Sequence, residues 1–321
     1  MNAQRLKEYR TMMLDPVRMD AYRRAIQLRC PGKVVCEIGT GLGPLSLMAL
    51  QAGAKRVYGI EVDAESLSLA TKVLRDNGFG PDQFVPVCGL STEVNLPERA
   101  EVIVSETLDS AGIGENTAHF MADAKRRFLA EGGCFLPERL DCYVALASPL
   151  QHDAHLQQWD EGLSSMGLDY SAVLSTLRHT QQIVSVSKEE LFSDWIPWQQ
   201  IAFADPSTFR PLAGVVAEAS REGSITGIAM AFEAILAPGV RLRTFPGDPQ
   251  THWKQGFCAF PQAPITYRTG DAVYVELALA AGDSRSIEME QRVVSGPADQ
   301  VIAYVRTRMA DEDGSEVAAA S

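Results

Sequence analysis

Two glutamates, Glu106 and Glu115, are the residues whose types and spacing most directly suggest chemistry in this chain. They lie in a glycine-containing segment, residues 105–115, which we call the acid loop. The apolar run before it, residues 100–104, predicts a short buried strand, and open α/β sheets bind ligands at the carboxyl ends of their strands. Isolated loop acids are usually solvated turn residues. Two of them at a strand end predict a site for a cationic substrate.

A second candidate site is a glycine turn at residues 39–43, which has the spacing G-x-G-x-G and includes Gly39 and Gly41. It joins a predicted strand to a predicted helix, and glycine lets the backbone approach a ligand closely. Glu37 precedes the turn, and Glu61 ends the next predicted strand, where a carboxylate can accept hydrogen bonds from both hydroxyls of a ribose. These residues predict a nucleotide-containing cofactor. By themselves they fit both NAD and S-adenosyl-L-methionine (SAM).

The elements around these residues follow from the hydrophobic pattern. Helical spacing at residues 9–29 predicts two helices, the second of which starts at Pro16. From residue 33 to about 145, strand-like and helix-like segments alternate, which predicts a mostly parallel sheet with helices on both faces. Residues 151–182 are polar and helix-like. The alternating stretches that follow predict an antiparallel β-barrel or sandwich.

The predicted organisation has four parts. An N-terminal helical segment at residues 1–29 precedes a Rossmann-like α/β domain at 30–147. An antiparallel β domain at 148–309 carries a helical arm near 151–182. We predict a disordered tail at 310–321, which is acidic and then rich in alanine.

Composition excludes several functional classes. The chain has 321 residues, 46% of them hydrophobic and 22% charged, as expected for a globular enzyme or binding protein. A net charge of -12 disfavours nucleic acid and anionic membranes as partners. The six cysteines form no C-x-x-C pair, so we expect reduced thiols and no structural metal. The polar N-terminus and the lack of a long apolar run predict a cytoplasmic protein without a signal peptide.

Four segments, in this order along the chain, resemble motifs of the protein arginine methyltransferases. They are residues 12–18 (Met-Met-Leu-Asp-Pro-Val-Arg), the glycine turn with Glu61, the acid loop, and residues 251–255 (Thr-His-Trp-Lys-Gln). The resemblance extends from Tyr9 to about Val305. It implies a class I SAM methyltransferase domain with a Rossmann-like sheet, followed by a β-barrel. It also implies that the helical arm forms a head-to-tail homodimer.

The resemblance implies SAM as the cofactor and assigns its contacts. Arg18 would bind the carboxylate of SAM, which suits the fork of a guanidinium group. Glu61 would hold the ribose. Ser91 and Thr92 would lie beside the adenine, although many relatives have a glutamate at the position of Thr92. The other residues assigned to the cofactor are Met12, Glu37, Gly39 and Gly41.

The same resemblance implies that Glu106 and Glu115 bind the guanidinium group of a substrate arginine between them. Arginine is a poor nucleophile, because its pKa exceeds about 12 and its charge is delocalised. Two carboxylates can bind it bidentately and favour positive charge on the nitrogens that do not attack. Methyl transfer then depends mainly on orientation and electrostatics, and Glu115 or water takes the proton.

The resemblance assigns roles to four more site residues and to one residue at the junction between the domains. His252 would pair with Asp15 and close the N-terminal segment over the site. Trp253 and Tyr9 would contact the substrate. Pro137 falls at the junction between the two domains, where the family has a cis proline.

The chain departs from dimethylating relatives after Glu106. Those enzymes usually continue Trp-Met-Gly-Tyr, whereas this chain has Thr-Leu-Asp-Ser. The acid at Asp109 resembles the monomethylating branch, in which it narrows the pocket, so Nω-monomethylarginine is the predicted product. The short N-terminal extension, the lack of a substrate-recruiting domain and an Ala- and Arg-rich composition lead us to expect free L-arginine as the substrate. A role in bacterial specialised metabolism, such as antibiotic biosynthesis, would follow.

Three other interpretations stay open. Within the same enzyme class, the substrate can be an arginine in a Gly/Arg-rich polypeptide. Outside that class, the chain can be a non-catalytic SAM-binding interaction module, against which the intact set of Arg18, Glu61, Glu106 and Glu115 argues. A nicotinamide oxidoreductase does not explain the acid loop.

Overall fold

A computed structural model of the chain describes residues 3–210, 212–260, 264–281 and 287–313. Its first elements are two helices, α1 (Ala3–Met13) and α2 (Pro16–Arg29). Asp15 ends the connection between them and caps α2, because its Oδ1 accepts hydrogen bonds from the backbone N–H groups of Val17 and Arg18, both at 3.0 Å. Proline suits the first helical position. The helix start predicted at Pro16 is confirmed.

The next elements form a five-stranded parallel sheet with the strand order β3-β2-β1-β4-β5. Its strands are β1 (Val34–Ile38), β2 (Arg56–Glu61), β3 (Phe84–Cys88), β4 (Ala100–Ser105) and β5 (Leu129–Leu136). Three helices connect them: α3 (Pro44–Gln51), α4 (Ala64–Asp76) and α5 (Thr117–Arg127). The strand order reverses between β1 and β4, where Ile38 pairs with Ser105. The glycine turn and the acid loop therefore leave the sheet side by side, at the edge where such sheets bind ligands.

An antiparallel part follows, which agrees with the predicted fold class of a Rossmann-like α/β domain followed by a β-barrel. Its six-stranded sheet has the order β7-β13-β11-β6-β8, with β12 paired to β11, and it packs with smaller sheets of orders β16-β15-β9 and β10-β14. The strands are β6 (Arg139–Ala147), β7 (Gln182–Val184), β8 (Ile196–Ala202), β9 (Leu212–Glu218), β10 (Gly223–Ile225), β11 (Gly227–Ala237), β12 (Val240–Arg243), β13 (Gln255–Ala259), β14 (Ile265–Tyr267), β15 (Asp271–Ala281) and β16 (Ile287–Pro297). Short 3-10 helices occur at Lys188–Glu190 and Pro206–Thr208.

The remaining helices lie in the arm and at the C-terminal end. The arm consists of α6 (Leu150–Ser165) and α7 (Ser171–His179), inserted between β6 and β7. The last helix, α8, spans Ala298–Asp313. The predicted disordered tail is therefore wrong for residues 310–313, which continue α8, and residues 314–321 lie outside the described residues. The domain limits predicted from the sequence stay a prediction.

A short connection between β5 and β6 joins the two sheets. β5 belongs to the parallel sheet and β6 to the antiparallel one, and the peptide bond between Leu136 and Pro137 in their connection is cis. A cis bond at Pro137 was implied by the family resemblance and is confirmed.

No helix in the described part of the chain is long and apolar enough to cross a membrane. Among the same residues, no group of three or more His, Cys, Asp or Glu side chains is arranged to hold a metal ion. All six cysteines are free thiols.

Candidate functional site

A cavity of about 730 Å³ lies at the edge of the parallel sheet, between the N-terminal helices and the antiparallel part. It brings together most of the residues that the sequence predicted for the site. Those in its walls are Tyr9, Met12, Arg18, Glu37, Gly39, Gly41, Glu61, Glu106, Asp109, Glu115, His252 and Trp253. Three predicted residues lie elsewhere: Asp15 behind His252, Ser91 in an adjoining cavity, and Thr92 outside the walls of both cavities.

The glycine turn presents bare backbone to this cavity. Gly39 and Gly41 have φ angles of 78° and 55°, in the left-handed region that favours glycine. A Cβ atom at Gly41 would come within 2.8 Å of the ring of Tyr9, which therefore packs directly on the turn. The hydroxyl of Tyr9 bonds Ser66 on α4 at 3.2 Å. The structure thus places Tyr9 beside the glycine turn, whereas the sequence assigned it to the substrate.

Glu61 closes the glycine turn from the end of β2. Its Oε2 accepts a hydrogen bond from the backbone N–H of Gly41 at 2.8 Å, and its Oε1 accepts one from the N–H of Asp63 at 2.9 Å. These two bonds fix the carboxylate at the mouth of the turn. An oxygen atom of a carboxylate can accept more than one hydrogen bond, so Glu61 can still bind hydroxyl groups of a ligand.

Glu37 is the polar residue of the otherwise apolar strand β1, and it is buried. The Ser46 hydroxyl donates a hydrogen bond to its carboxylate. Burial raises the pKa of Glu37 to about 8, although the bond from Ser46 and the positive charge of Arg18 oppose that change. Glu37 therefore carries a proton for much of the time near neutral pH.

Arg18 and Glu106 form a buried ion pair that the sequence did not predict. The Nε of Arg18 donates to Oε2 of Glu106 at 2.8 Å, and Nη2 bonds the same oxygen. The Nη1 of Arg18 also donates to the backbone oxygen of Met12 at 3.3 Å. Burial opposes the charge on Arg18, but the carboxylate of Glu106 outweighs this effect and raises the pKa of Arg18. The two residues that the resemblance assigned to different ligands thus bind each other.

The acid loop is folded around the carboxylate of Asp109. Its Oδ1 accepts hydrogen bonds from the backbone N–H groups of Ala111 at 3.1 Å and Gly114 at 2.9 Å. Gln181, a residue that the sequence did not single out, donates from Nε2 to Oδ2 of Asp109 at 2.7 Å and to the Ser110 hydroxyl at 2.9 Å. A lone glutamine at the end of a polar arm carries no motif, so no sequence signal pointed to it.

Glu115 differs from the other two acids. Within the described part of the chain, its carboxylate has no hydrogen-bond or ion-pair partner. Its side chain is exposed to the open cavity. Desolvation by nearby protein atoms, together with the negative charges of Glu106 and Asp109, raises the pKa of Glu115 to about 7. Glu115 is therefore the acid best placed to bind a cation or to accept a proton.

The segment at residues 251–255 joins the antiparallel part to the N-terminal helices. Oδ2 of Asp15 accepts a hydrogen bond from the backbone N–H of His252 at 2.8 Å and lies 2.9 Å from the ring atom Nδ1 of His252. The predicted pairing of His252 with Asp15 is thus present. These hydrogen bonds and those from the start of α2 lower the pKa of Asp15, although burial alone would raise it.

Trp253 forms an apolar wall of the cavity. It is buried, and its ring lies edge-to-face with Phe232 at a centroid distance of 5.4 Å. Its indole Nε1 donates a hydrogen bond to the backbone oxygen of Leu108 in the acid loop at 2.6 Å. The tryptophan therefore fixes the acid loop against the antiparallel part.

A smaller cavity of about 120 Å³ adjoins the main one and shares Gly39, Glu61 and Glu115 with it. Ser91 lies in its wall and is buried. The remaining wall is mostly apolar, with side chains such as Ile60 and Phe120. A flat ring attached to a group held by Glu61 could lie in this slot.

Comparisons with known proteins agree in the kind of chemistry that they indicate. Residues 20–135 match the family model "Ribosomal protein L11 methyltransferase (PrmA)". Protein arginine N-methyltransferase 6 of Xenopus tropicalis is 30% identical over 259 residues, which cover 76% of this chain and 75% of that protein. Protein arginine N-methyltransferase 1 of Saccharomyces cerevisiae is 26% identical over 294 residues, which cover 88% of this chain and 83% of the yeast protein.

A solved structure extends the agreement to the fold. The Trypanosoma brucei PRMT1 enzyme-prozyme heterotetrameric complex with AdoHcy superimposes with a TM-score of 0.74 at 20% identity. The superposition covers 89% of this chain and 97% of that one. The overall fold of this chain is therefore a known architecture.

Proposed function

Because this chain belongs to the protein arginine N-methyltransferase family, we propose that it transfers a methyl group from SAM to a terminal guanidino nitrogen of arginine residues in polypeptides. The observation that carries the proposal is the single cavity in which the glycine turn and Glu61 meet the acid loop, His252 and Trp253. One end of this cavity suits a nucleoside, and the other end suits a cation.

The residues present fit SAM. Glu61 would bind the ribose, and the backbone at Gly39 and Gly41 leaves room for a ligand because these residues lack side chains. The slot beside Ser91 suits an adenine ring. Met12 and Glu37 complete this end of the cavity. When bound, SAM supplies a methyl group on a positively charged sulfur atom, which is a strong electrophile.

Arg18 would serve two negative groups. Its Nε and Nη2 atoms are engaged by Glu106, whereas Nη1 makes only weak contacts: a long hydrogen bond of 3.3 Å to the backbone oxygen of Met12 and one of 3.1 Å to the thioether sulfur of Met19. We propose that Nη1 turns to the carboxylate of SAM while the pair with Glu106 stays intact. Arg18 would then link the cofactor end of the cavity to the acid loop.

Glu106 and Glu115 would bind the substrate guanidinium group from two sides. Arg18 occupies Oε2 of Glu106, while Oε1 accepts only a long hydrogen bond, 3.4 Å, from the backbone N–H of Leu108 and can also bind the substrate. Both oxygens of Glu115 are available. The guanidino nitrogen gains a methyl group and loses one proton. Glu115 can accept that proton because its pKa of about 7 lies near the pH of the reaction. His252 and Trp253 would hold the loop and exclude water from this end.

Polypeptide arginine replaces free L-arginine as the favoured substrate, because the curated relatives are named for protein or histone substrates. A direct test offers free L-arginine and a Gly/Arg-rich peptide side by side with labelled SAM. We expect label in the peptide. Label in free arginine alone would refute the polypeptide proposal but leave arginine methylation intact, and label in neither would refute both.

We also propose that the product is mainly Nω-monomethylarginine. The support is Asp109, whose side chain lies in the cavity wall between the two glutamates and replaces the smaller residue of dimethylating relatives. A second methyl group needs space near the attacking nitrogen. Mass spectrometry of exhaustively reacted peptide should therefore show a gain of one methyl group per arginine. Accumulation of dimethylarginine would contradict this part of the proposal.

A homodimer built through the arm is the third proposal. The arm carries large apolar side chains that are exposed in the single chain, including Leu150 at 72%, Met166 at 64% and Trp159 at 44%. Such a concentration of exposed apolar area is typical of a surface that another protein covers.

A further inference from the structure

Both oxygen atoms of the Asp109 carboxylate are engaged by the protein itself. Oδ1 accepts hydrogen bonds from the N–H groups of Ala111 and Gly114, and Oδ2 accepts one from the side chain of Gln181. The loop closes tightly around this group, because a methyl group at Gly114 would collide with the carboxylate. Gly114 directly precedes Glu115. The bond from its N–H to Asp109 thus fixes the backbone from which Glu115 projects.

Gln181 is the part of this arrangement that comes from outside the loop. It lies between the end of α7 and the start of β7, and β7 pairs with β13 in the register Val184 to Gln255. β13 begins two residues after Trp253. The backbone of Gln181 therefore leads directly into a strand that pairs with β13, and Trp253, just before β13, bonds the acid loop from another side.

We propose that Gln181 is a positioning residue for methyl transfer, which holds the acid loop in the turn that presents Glu106 and Glu115 to the substrate. Both N–H groups of its amide have an acceptor, Oδ2 of Asp109 and the hydroxyl of Ser110. The inference rests on the proposed function, because it concerns the same two glutamates. It deepens that function, because it adds a residue from the connection between the arm and the β-barrel to the active site.

Because of these hydrogen bonds, Asp109 does not compete with Glu106 and Glu115 for the substrate guanidinium group. A carboxylate that already accepts three hydrogen bonds from the protein has about one of its four acceptor positions left, which is too few for a bidentate contact with a guanidinium group. Asp109 therefore occupies space in the cavity wall and shapes the loop but does not bind the guanidinium group, and Gln181 holds it in that position. A residue with an unengaged carboxylate at this place would compete with Glu115 for the cation.

The test uses four variants and centres on the hydrogen bond that Gln181 donates to Asp109. One of the four, a double variant, reverses the direction of this bond. Gln181→Glu places a second carboxylate against Asp109, and the two negative groups repel each other. Asp109→Asn with Gln181→Glu restores a hydrogen bond, now donated by the asparagine amide to the glutamate. Asp109→Asn alone completes the double-mutant cycle. Gln182→Glu is the matched control, since the Nε2 of Gln182 donates to the backbone oxygen of Thr180 and not to the acid loop.

We expect Gln181→Glu to lower kcat by about tenfold or more, because the loss affects an interaction needed in the transition state. The apparent affinity for SAM should change less than about twofold, since the glycine turn is untouched. The reversed pair should recover much of the lost kcat. A role limited to stability would instead lower the melting temperature and leave kcat of the folded fraction unchanged, and that result would overturn the proposal.

Hydrogen–deuterium exchange of peptides that cover residues 108–116 gives a second readout that does not depend on substrate. Gln181→Glu should speed exchange there, and the reversed pair should slow it again. If the wild-type protein methylates no arginine but exchange follows this pattern, the proposed function fails and the positioning of the loop by Gln181 stands. Unchanged exchange in Gln181→Glu would overturn the positioning role whether or not the protein is active.

Discussion

At the scale of single residues, the three acids of the acid loop have different surroundings. Glu106 is neutralised by Arg18, and Asp109 is engaged by loop amides and Gln181. Glu115 alone among the three has no partner in the described part of the chain. All three side chains are carboxylic acids in the sequence, but they have different roles in the structure because each has a different set of hydrogen-bond donors around it.

The first prediction concerns Glu115. Replacing Glu115 by Gln keeps its shape but removes its charge and its capacity to accept a proton, so kcat should fall by about 100-fold or more. Binding of SAM, measured as a thermal shift, should be nearly unchanged. Glu131→Gln is a suitable control, because Glu131 is exposed on β5. Full activity of Glu115→Gln would refute the proposed binding of the guanidinium group by two glutamates.

The second prediction follows from the pKa of Glu115, which desolvation by nearby protein atoms and the charges of Glu106 and Asp109 raise to about 7. Activity that needs the ionised carboxylate should rise between pH 6 and 8 and then level off. Because the folded state holds this proton more firmly than the unfolded chain, the carboxyl stabilises the fold at low pH and loses that effect as pH rises through 7. The pH profile of kcat/KM and unfolding in urea at several pH values measure both effects. A flat profile would contradict the assignment.

The site residues that the sequence predicted correctly belong to short motifs. The glycine turn, Glu61, Glu106, Glu115 and the His252–Trp253 pair all belong to short segments with recognisable spacing. The pair of Arg18 with Glu106 and the bond from Gln181 to Asp109 join residues 88 and 72 positions apart. Such contacts depend on how elements pack, and a sequence without a structure gives no measure of that.

At the scale of elements, Asp15 connects the start of α2 to the segment at residues 251–255. It caps α2 through Val17 and Arg18 and binds both the backbone and the ring of His252. The helix that carries Arg18 is thereby fixed to the antiparallel part. Residues far apart in the chain thus come to share one cavity.

The third prediction tests this connection by replacing Asp15 with Ala. Loss of the helix cap and of the bonds to His252 should lower the free energy of unfolding by about 2 kcal/mol, measured in urea. Asp15→Asn keeps an acceptor for the cap and should lose less than Asp15→Ala. Equal stability of Asp15→Ala and the wild type would show that the connection contributes little.

The elements that the sequence predicted best are those with a regular apolar pattern. Within the predicted alternation of strands and helices, the strand-like pattern at residues 56–60 and the helix-like pattern at 64–77 match β2 and α4 to within one residue at one end. β5 was not predicted, because Glu131, Gly132 and Gly133 interrupt its apolar pattern and resemble a turn. Pairing with β4, which matches Val102 with Cys134, makes this segment a strand in spite of its local preference.

At the scale of the whole molecule, the exposed apolar side chains of the arm lead to the fourth prediction. The proposed homodimer should have twice the 34.9 kDa mass of the chain, as measured by light scattering on a sizing column. Trp159→Asp should shift the protein to the monomer, because a charge would be buried in the interface. Leu28→Asp is a matched control, because Leu28 on α2 is also exposed, at 61%. A wild-type protein that is monomeric at high concentration would refute the proposal.

Trp253 gives the molecule an optical property. Of the four tryptophans, it is the one in the wall of the main cavity, and its indole N–H bonds the backbone of the acid loop. Indole emission responds to nearby charge and to the loss of water. Arrival of a cation beside Trp253 should therefore change the intrinsic fluorescence of the protein, and Trp253→Phe should remove that signal. Substrate binding could then be followed in stopped flow without any label.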